Sequence, residues 1–429
     1  MRRPAVRLAF ALLLAAGAAT ARAATDAHTR FTQLLAQAEA ARHRGDNQSV
    51  LATSLELAKL LHHSGPATEQ VAMAYAKLGE RRQALDWLRE LAAMGQSDEA
   101  APGRPQFTGI RSLPQFQRIV TAMRANATPV DKAGGALRLR DARLLPEDID
   151  YDPATRSYLL TSVLEKKIVR IGAGGTQKVF FRSPDGWPMM ALKIDSRRQI
   201  VWATEVAISG FAGVPRKAWG RSVLLCLRLQ DGILLHRIEV PRTSLGDMAL
   251  MPSGDAIVSD GDNGGIYRAR AGCTDSNLRR IDSGQFISPQ TPAPEGDGRH
   301  VFVPDYARGI ALLDVRTGQA RWLDAGRRHA MQGIDGLYFT DKGLLCVQNG
   351  AMPERLVLFE LNDELQITRE RIIDRSSPTL GDPTHGVVVD GKFHYIANSG
   401  WNWLDDNGRI KPGAGFTPAR IKQIAVSDL

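Results

Sequence analysis

One unit of strands and turns recurs along residues 137–429 of this 429-residue chain. Its clearest copy has an apolar run that opens with Asp247, a strand that ends in Asp260, and a further strand at 265–268. Short apolar runs separated by turns rich in Gly and Asp predict β-strands with tight connections. The larger part of the chain is therefore predicted to be all-β.

The copies can be aligned on the polar residue that ends the second strand of each unit. Successive anchors lie 43 to 55 residues apart, and the longest step contains an insertion at 206–220. Four strands per unit at such a period are typical of a β-propeller, here with six blades. We predict that the anchors bond to nearby backbone in turns. They are Ser162, Glu205, Asp260, Asp305, Asn349 and Asn398.

The two ends of this region are predicted to pair with each other. Residues 137–139 and the final apolar run at 421–425 both have strand-like sequences. Their pairing would close the ring and protect two sheet edges. We place the propeller at 136–429, and we interpret 127–135, which contains Pro and paired Gly, as the linker before it.

Residues 24–126 instead have the spacing of apolar residues that predicts helices. Gly45 and Gly79 lie 34 residues apart, and each is followed five residues later by a compact side chain, Val50 or Ala84. This period resembles the tetratricopeptide repeat, in which a small residue lets two antiparallel helices approach closely. An unrelated stack of helical hairpins is the alternative. In either case we expect the helices to bind a protein partner.

The fold class predicted for the whole chain is therefore multidomain. An N-terminal α-helical repeat domain, tetratricopeptide-like in its period, precedes a C-terminal all-β six-bladed propeller.

Residues 1–23 have the pattern of a secretory signal peptide. Three Arg precede an apolar stretch at 8–19, and a small-x-small site ends at Ala23. The apolar stretch is too short to span a bilayer comfortably. We expect cleavage, no integral membrane segment afterwards, and a periplasmic or secreted protein. An uncleaved anchor is the alternative.

The charge of the chain argues against a nucleic-acid partner. Cleavage lowers the formal net charge from +9 to +5, because residues 1–23 hold four Arg and no acidic residue. The remaining basic residues are interspersed with acidic ones, whereas nucleic-acid binding needs a dense basic face.

Three cysteines are too few for a disulfide framework. Cys226 and Cys346 lie in apolar runs that predict buried strands, where an unpaired Cys behaves as a small hydrophobic residue. Cys273 lies in a predicted loop and could be reactive or paired. The absence of Cys-x-x-Cys argues against a zinc ribbon and a thioredoxin-type site.

In a propeller the first strand of each blade lines the central channel, and the loops that enter those strands build one mouth. This geometry brings one residue from each of the six blades around a common axis. Four of the six can bind a metal through oxygen. The six are Glu147, Met189, Asp247, Gln290, Asp335 and His385.

The blade sequences resemble the six-bladed propellers of the gluconolactonase, regucalcin and strictosidine-synthase-like superfamily. The likeness covers residues 136–429, and the copy at 298–305 matches the blade consensus well. The resemblance implies a divalent cation in the channel, held by a Glu, two Asn and an Asp. In such enzymes the cation polarises a lactone carbonyl or activates water.

The ligand set carries over only in part. Glu147 matches the family Glu, although Asp148-Ile149 replaces the usual Gly-Pro, and Asp335-Gly336 matches the family Asp-Gly. Asp247 stands beside one expected Asn position, and Gln290 stands at the other. We predict Glu147, Asp247 and Asp335 as ligands of a calcium or zinc ion. A polar, water-filled channel is the alternative.

His385 is the predicted acid–base group, because a neutral imidazole accepts a proton near neutral pH. A purely structural histidine at the start of a strand is the alternative. Asp335 is the second predicted catalytic residue. Side chains near the mouth are predicted to bind a ligand, partly by aromatic stacking. They are Trp187, Glu205, Gln290 and Trp401.

Two functions follow from these patterns. The first is an exported binding or scaffold protein, whose channel binds a small molecule or partner and whose helices dock a protein. The second is a metal-dependent hydrolase of lactones or esters, which Glu147, Asp335 and His385 favour. The incomplete ligand set favours the first over the second.

Overall fold

The computed structural model describes residues 26–98, 100–172 and 174–429, and the predicted signal peptide lies outside them. In this part of the chain five α-helices come first. Asp26 and Asp46 cap the first two helices, since their side chains accept hydrogen bonds from Thr29 N and Ser49 N. The helices are α1 (Ala27–His43), α2 (Asn47–Leu60), α3 (Gly65–Lys77), α4 (Arg81–Ala93) and α5 (Pro114–Ala125).

The helices pack in chain order, α1 against α2 and α3 against α4. Their apolar stripes form two adjoining buried clusters, one with Leu34 and Val71 and the other with Leu88. The helical character of this segment is as predicted, and its tetratricopeptide-like arrangement stays a prediction. Among the described helices, none is long and apolar enough to cross a membrane.

Six antiparallel sheets follow, so the six-bladed propeller is confirmed. Two short strands precede the first blade, namely β1 (Val130–Asp131) and β2 (Gly134–Arg138). Blade 1 contains β3 (Ile149–Asp152), β4 (Ser157–Ser162), β5 (Lys167–Ile171) and β6 (Gln177–Arg182). Blade 2 contains β7 (Met189–Asp195), β8 (Ile200–Val206), β9 (Arg221–Arg228) and β10 (Leu234–Pro241). Blade 3 contains β11 (Leu245–Leu250), β12 (Ala256–Asp260), β13 (Gly265–Ala269) and β14 (Arg279–Arg280).

The other three blades repeat the same order of strands. Blade 4 contains β15 (Ala293–Pro294), β16 (His300–Asp305), β17 (Gly309–Asp314) and β18 (Ala320–Trp322). Blade 5 contains β19 (Ile334–Thr340), β20 (Gly343–Gln348), β21 (Arg355–Leu361) and β22 (Ile367–Arg375). Blade 6 contains β23 (Gly386–Val389), β24 (Lys392–Ile396) and β25 (Arg420–Ala425).

The ring closes through residues from both ends of the propeller. β2 pairs with β25, with Leu137 opposite Ile421, as predicted. The segment before it also enters a sheet, because β1 pairs with β22 and becomes a fifth strand of blade 5. Lys422 fixes this junction, since its Nζ lies 2.7 Å from Asp131 Oδ1 and 2.5 Å from Asp374 Oδ2.

The core lies between neighbouring blades. The second strands are apolar on both faces because each packs between two other sheets. In β20, for example, Leu344, Leu345, Cys346 and Val347 are all fully buried. Cys346 is unpaired there, as predicted.

A disulfide joins blades 2 and 3. Cys226 of β9 pairs with Cys273, which follows β13, and their Cα atoms are 6.1 Å apart. The prediction that Cys226 is an unpaired hydrophobic residue is therefore wrong, although the residue is buried. The sequence separation of 47 hid the contact, which exists only because adjacent blades stack side by side.

The helices rest on the face of the propeller where the first strands begin. They contact loops that either enter a first strand or join a second strand to a third, and both kinds of loop lie on that face. Ala27 N donates to Gly284 O at 2.9 Å, and Ser97 N donates to Met352 O at 2.6 Å. The His62 ring packs edge-on against Trp322. The helices therefore lie over blades 4 and 5, on the face that carries the channel mouth.

Candidate functional site

Four polar side chains from four blades meet where the first strands begin. Glu147 precedes β3, Asp247 lies in β11, Asp335 lies in β19, and His385 precedes β23. One ligand atom from each of Glu147, Asp335 and His385 lies within 4.8 Å of the others. All four residues are buried. The predicted convergence of these side chains on one axis is therefore present.

Both ring nitrogens of His385 are engaged. Nδ1 lies 2.7 Å from the Glu147 carbonyl oxygen, and Nε2 lies 2.6 Å from Asp247 Oδ1. A carbonyl oxygen can only accept, so Nδ1 carries a proton. Burial opposes a second proton, but the Asp247 hydrogen bond and the charges of nearby carboxylates outweigh it and raise the His385 pKa well above its usual value. These contacts link blades 1 and 3 to blade 6 through His385, and its acid–base role stays a prediction.

One carboxyl oxygen of Asp247, Oδ1, takes part in two hydrogen bonds. Besides His385, the Thr291 hydroxyl donates to Asp247 Oδ1 at 2.8 Å. Gln290, which the sequence analysis placed on the axis, instead donates from Nε2 to the carbonyl and hydroxyl oxygens of Ser288, both at 3.2 Å. A step of one residue in an extended segment turns the side chain to the other face, so Thr291 reaches the site and Gln290 does not.

Glu147 is tied to a loop above the mouth. Trp401 Nε1 donates to Glu147 Oε2 at 2.5 Å. Burial raises the pKa of Glu147 to about 8, and the charge of Asp335 adds to this rise, while His385 and the Trp401 hydrogen bond oppose it. Glu147 therefore resists ionisation unless a positive charge joins it.

Asp335 is oriented by a short chain of hydrogen bonds. Asn349 Nδ2 donates to Asp335 Oδ2 at 2.8 Å, and the Tyr306 hydroxyl donates to Asn349 Oδ1 at 3.0 Å. Burial raises the pKa of Asp335 to about 6, and Asp247 adds to the rise, whereas His385 and Asn349 lower it. The two carboxyl groups thus share one environment that disfavours negative charge.

The donor set fits a hard cation. Among the described residues, nothing donates a hydrogen bond to Glu147 Oε1 or Asp335 Oδ1. Glu147 and Asp335 are each 7% exposed and His385 is 1% exposed, so the carboxyl groups rather than the imidazole reach the open channel. With Asp247 Oδ2, the set offers carboxylate oxygens only. Such a set suits calcium better than zinc, which prefers nitrogen and sulfur ligands.

Nearby basic groups do not neutralise the carboxyl groups of Glu147 and Asp335. Asp148 already has its own partner, since Lys193 Nζ lies 2.6 Å from Asp148 Oδ2. His385 is matched with Asp247. Glu147 and Asp335 are left without a basic partner of their own in the described part of the chain, which is the electrostatic signature of a cation site.

Two residues predicted to bind a ligand lie elsewhere. Glu205 accepts a hydrogen bond from Ser183 Oγ, in the connection between blades 1 and 2, and lies opposite Met189 in the sheet of blade 2. Burial raises its pKa to about 8, and Asp185 contributes to the rise. Trp187 is buried in the apolar core between blades, with the Arg221 guanidinium 5.9 Å from its ring centroid. Of the predicted rim aromatics, Trp401 is the one that contacts the site.

The anchors at the ends of the second strands divide into two kinds. Asp305 accepts from Ala307 N and Arg308 N in the turn that follows it, as predicted, and from Ile287 N and Ser288 N in the loop that enters blade 4. Asn349 instead faces Asp335, a role that the sequence analysis missed. Its position in the same blade as Asp335 was the available signal, because the second strand is paired with the first.

Two long loops cover part of the mouth. Residues 207–220 join β8 to β9, and residues 397–419 join β24 to β25. They meet where Ala212 N donates to Asn407 O at 3.0 Å. The second loop is also fixed by Asp382, whose Oδ2 accepts from Asn402 N at 2.8 Å. Because this loop carries Trp401, the cover is connected directly to Glu147.

No protein-family model matches the sequence, and no curated protein matches it either. Solved structures are similar to part of the chain at low sequence identity. Regucalcin from Agrobacterium tumefaciens, a calcium-binding protein, is 16% identical, with 68% of this chain and 94% of that chain covered and a TM-score of 0.47. A virginiamycin B lyase from Staphylococcus aureus is 14% identical, with 64% and 86% covered and a TM-score of 0.45.

A third similar structure is the PQQ-bound aldose sugar dehydrogenase from Streptomyces coelicolor. It is 13% identical, with 68% of this chain and 99% of that chain covered and a TM-score of 0.48. Similarity at this level concerns the fold and carries no information about activity.

Proposed function

We propose that the chain is a metal-dependent hydrolase of lactones or similar small esters, with its site at the channel mouth. The observation that carries this proposal is the buried pair of Glu147 and Asp335. Each keeps one carboxyl oxygen unbonded by described residues, and the pKa of each is raised. Two buried carboxyl groups that face each other are costly to ionise without a cation.

A bound divalent cation supplies a Lewis acid that polarises a carbonyl or activates water. The residues of the chain perform the remaining tasks. Glu147 and Asp335 hold the cation, and Trp401 and Asn349 orient them through their second oxygens. Asp247 keeps Oδ2 unbonded by described residues, so this oxygen would complete the ligand set while Oδ1 is held by Thr291 and His385. His385 positions Asp247.

The experiment that tests the proposal measures binding and turnover together. The full-length mature protein is titrated with calcium by calorimetry, and hydrolysis of a gluconolactone is followed in parallel. We expect one calcium ion per chain, and we expect Glu147→Gln and Asp335→Asn each to lower both affinity and kcat/KM at least about 100-fold.

Glu205→Gln is the matched control, because Glu205 is also a buried carboxyl group with a pKa raised to about 8 but lies outside the site. It is expected to leave binding and turnover unchanged. If calcium neither binds nor raises the melting temperature of the wild type, the hydrolase proposal is wrong.

We also propose that the protein is exported to an oxidising compartment, the periplasm or the exterior. The Cys226–Cys273 disulfide supports this, because disulfides persist in such compartments and are rare in the cytosol. The signal-peptide pattern at residues 1–23 agrees with it.

The binding or scaffold role is the less favoured function. Part of the helical surface is already in contact with the propeller, for example where Gln332 Nε2 donates to Gln96 Oε1 at 3.2 Å. A tetratricopeptide-like arrangement and a protein partner for the outer face of the helices remain part of the proposal for this region.

A further inference from the structure

Tyr338 brings a phenol hydroxyl to the candidate site. It lies in β19, three residues after Asp335. Its hydroxyl oxygen accepts a hydrogen bond from Gly386 N at 2.5 Å, and Gly386 directly follows His385. The side chain therefore extends from blade 5 to the start of the neighbouring blade 6, where its hydroxyl lies beside the residue that follows His385.

The proton of this hydroxyl has no assigned acceptor. Within the described residues, the Gly386 amide is the one group that hydrogen-bonds to the Tyr338 hydroxyl, and an amide N–H can only donate. Burial, together with the charges of Asp148 and Asp335, raises the Tyr338 pKa well above its ordinary value. The group consequently keeps its proton and presents an O–H donor.

The phenol is also fixed in place. Its ring packs against Phe393 with centroids 4.7 Å apart and planes tilted by 56°. Gly336 makes this position possible, because a β-carbon there would lie 3.1 Å from the Tyr338 ring and 3.2 Å from its hydroxyl oxygen. A donor held rigidly by packing and by a hydrogen bond to its oxygen is preorganised, which is the property that makes such groups effective in catalysis.

We propose that Tyr338 donates a hydrogen bond to the substrate oxygen that gains negative charge when the carbonyl carbon is attacked. The inference rests on the proposed hydrolase function and names a further substrate-contacting residue of the same site. The proton remains on Tyr338 throughout, so no bond to hydrogen breaks and no co-reactant is needed. A neutral donor aimed at the oxyanion stabilises the transition state more than the ground state.

The test compares Tyr338→Phe with Tyr158→Phe in the full-length mature protein. Tyr158 also bonds through its hydroxyl, to His394 Nδ1 at 3.0 Å, and is placed away from the candidate ligands. We expect Tyr338→Phe to bind calcium with unchanged affinity, to melt within about 3 °C of the wild type, and to lose at least about tenfold in kcat with KM nearly unchanged. Tyr158→Phe should retain the wild-type kcat.

The pH profile separates this role from a structural one. Because Tyr338 keeps its proton, the loss in kcat should be the same factor at every pH between about 6 and 9. An active wild type with an equally active Tyr338→Phe variant overturns the inference and leaves the hydrolase proposal intact. A wild type that binds calcium but hydrolyses no lactone overturns both.

Discussion

Glu147 and Asp335 lie close together in a buried site where the nearest positive charges already have partners. Lys193 is hydrogen-bonded to Asp148, and His385 is hydrogen-bonded to Asp247. Burial, together with the charge of a neighbouring carboxylate, raises the pKa values of Glu147 and Asp335 to about 8 and about 6. Protons and a metal ion therefore compete for the same oxygens.

The pH dependence of stability tests this imbalance. In the folded state the pKa of Glu147 is about 8, against a usual value of 4.5. Its contribution to stability is then fully present below about pH 4.5 and is lost as the pH rises through about 8. In the presence of a chelator, we expect the free energy of unfolding of the wild type to fall by about 3 kcal/mol more than that of Glu147→Gln between about pH 5 and pH 8.5.

Urea denaturation at several pH values measures this difference. Saturating calcium should remove it, because the bound cation stabilises the ionised carboxylates. Equal slopes for the wild type and Glu147→Gln in chelator would contradict the assigned environment of Glu147.

At the residue scale the sequence predicted the site in outline. Glu147, Asp247, Asp335 and His385 could be found because each stands near the start of a blade, and the period of the repeat places such residues on one axis. The hydrogen-bond partners of His385 could not be predicted from the sequence, since they depend on which neighbour lies within about 3 Å. Gln290 shows the same limit, because a register error of one residue exchanges it for Thr291.

The strands and helices were predicted from their sequence patterns, whereas the pairings between distant segments were not. Short apolar runs separated by turns identified the blades, and the spacing of apolar residues identified the helices. The entry of β1 into blade 5 was hidden because a strand of two residues, Val130–Asp131, has no periodicity to detect. The Cys226–Cys273 pairing was hidden because it links blades rather than neighbours in sequence.

This disulfide predicts a measurable part of the stability. It closes a loop of 47 residues, and the chain-entropy estimate for such a loop is about 4 kcal/mol. We expect the Cys226→Ala/Cys273→Ala double variant to lose stability on that order in urea denaturation under non-reducing conditions.

Sensitivity to reductant provides the control for the disulfide. Dithiothreitol should lower the unfolding midpoint of the wild type toward that of the double variant and should leave the double variant unchanged. Cys346, which is buried and unpaired, is present in both proteins and cannot account for a difference between them. An unchanged wild-type midpoint after complete reduction would refute a stabilising role for this bond.

At the scale of the whole molecule, the residues before the first blade are part of the ring. β2 completes blade 6, and β1 extends blade 5. Lys422 binds Asp131 and Asp374 at the same junction, where its ammonium group is almost fully buried. The helices contribute a separate contact surface over blades 4 and 5.

A pair of truncated chains tests closure directly. A chain that begins at residue 127 keeps β1 and β2 and loses the helices, whereas a chain that begins at residue 140 loses the two strands as well. We expect the first to unfold cooperatively as a monomer and the second to aggregate, because the β25 edge is left unpaired and Lys422 loses its contact with Asp131. Size-exclusion chromatography and thermal unfolding distinguish them. Indistinguishable behaviour of the two chains would show that closure does not depend on β1 and β2.

The contact between Lys422 and Asp131 spans 291 residues of sequence. The chain is synthesised from its N-terminus, so β2 stays unpaired until β25, the last strand, has been made. Contacts between such distant residues form slowly. A chain truncated before β25 lacks the strand that pairs with β2. Its propeller stays open, and quality-control proteases would act on this open form.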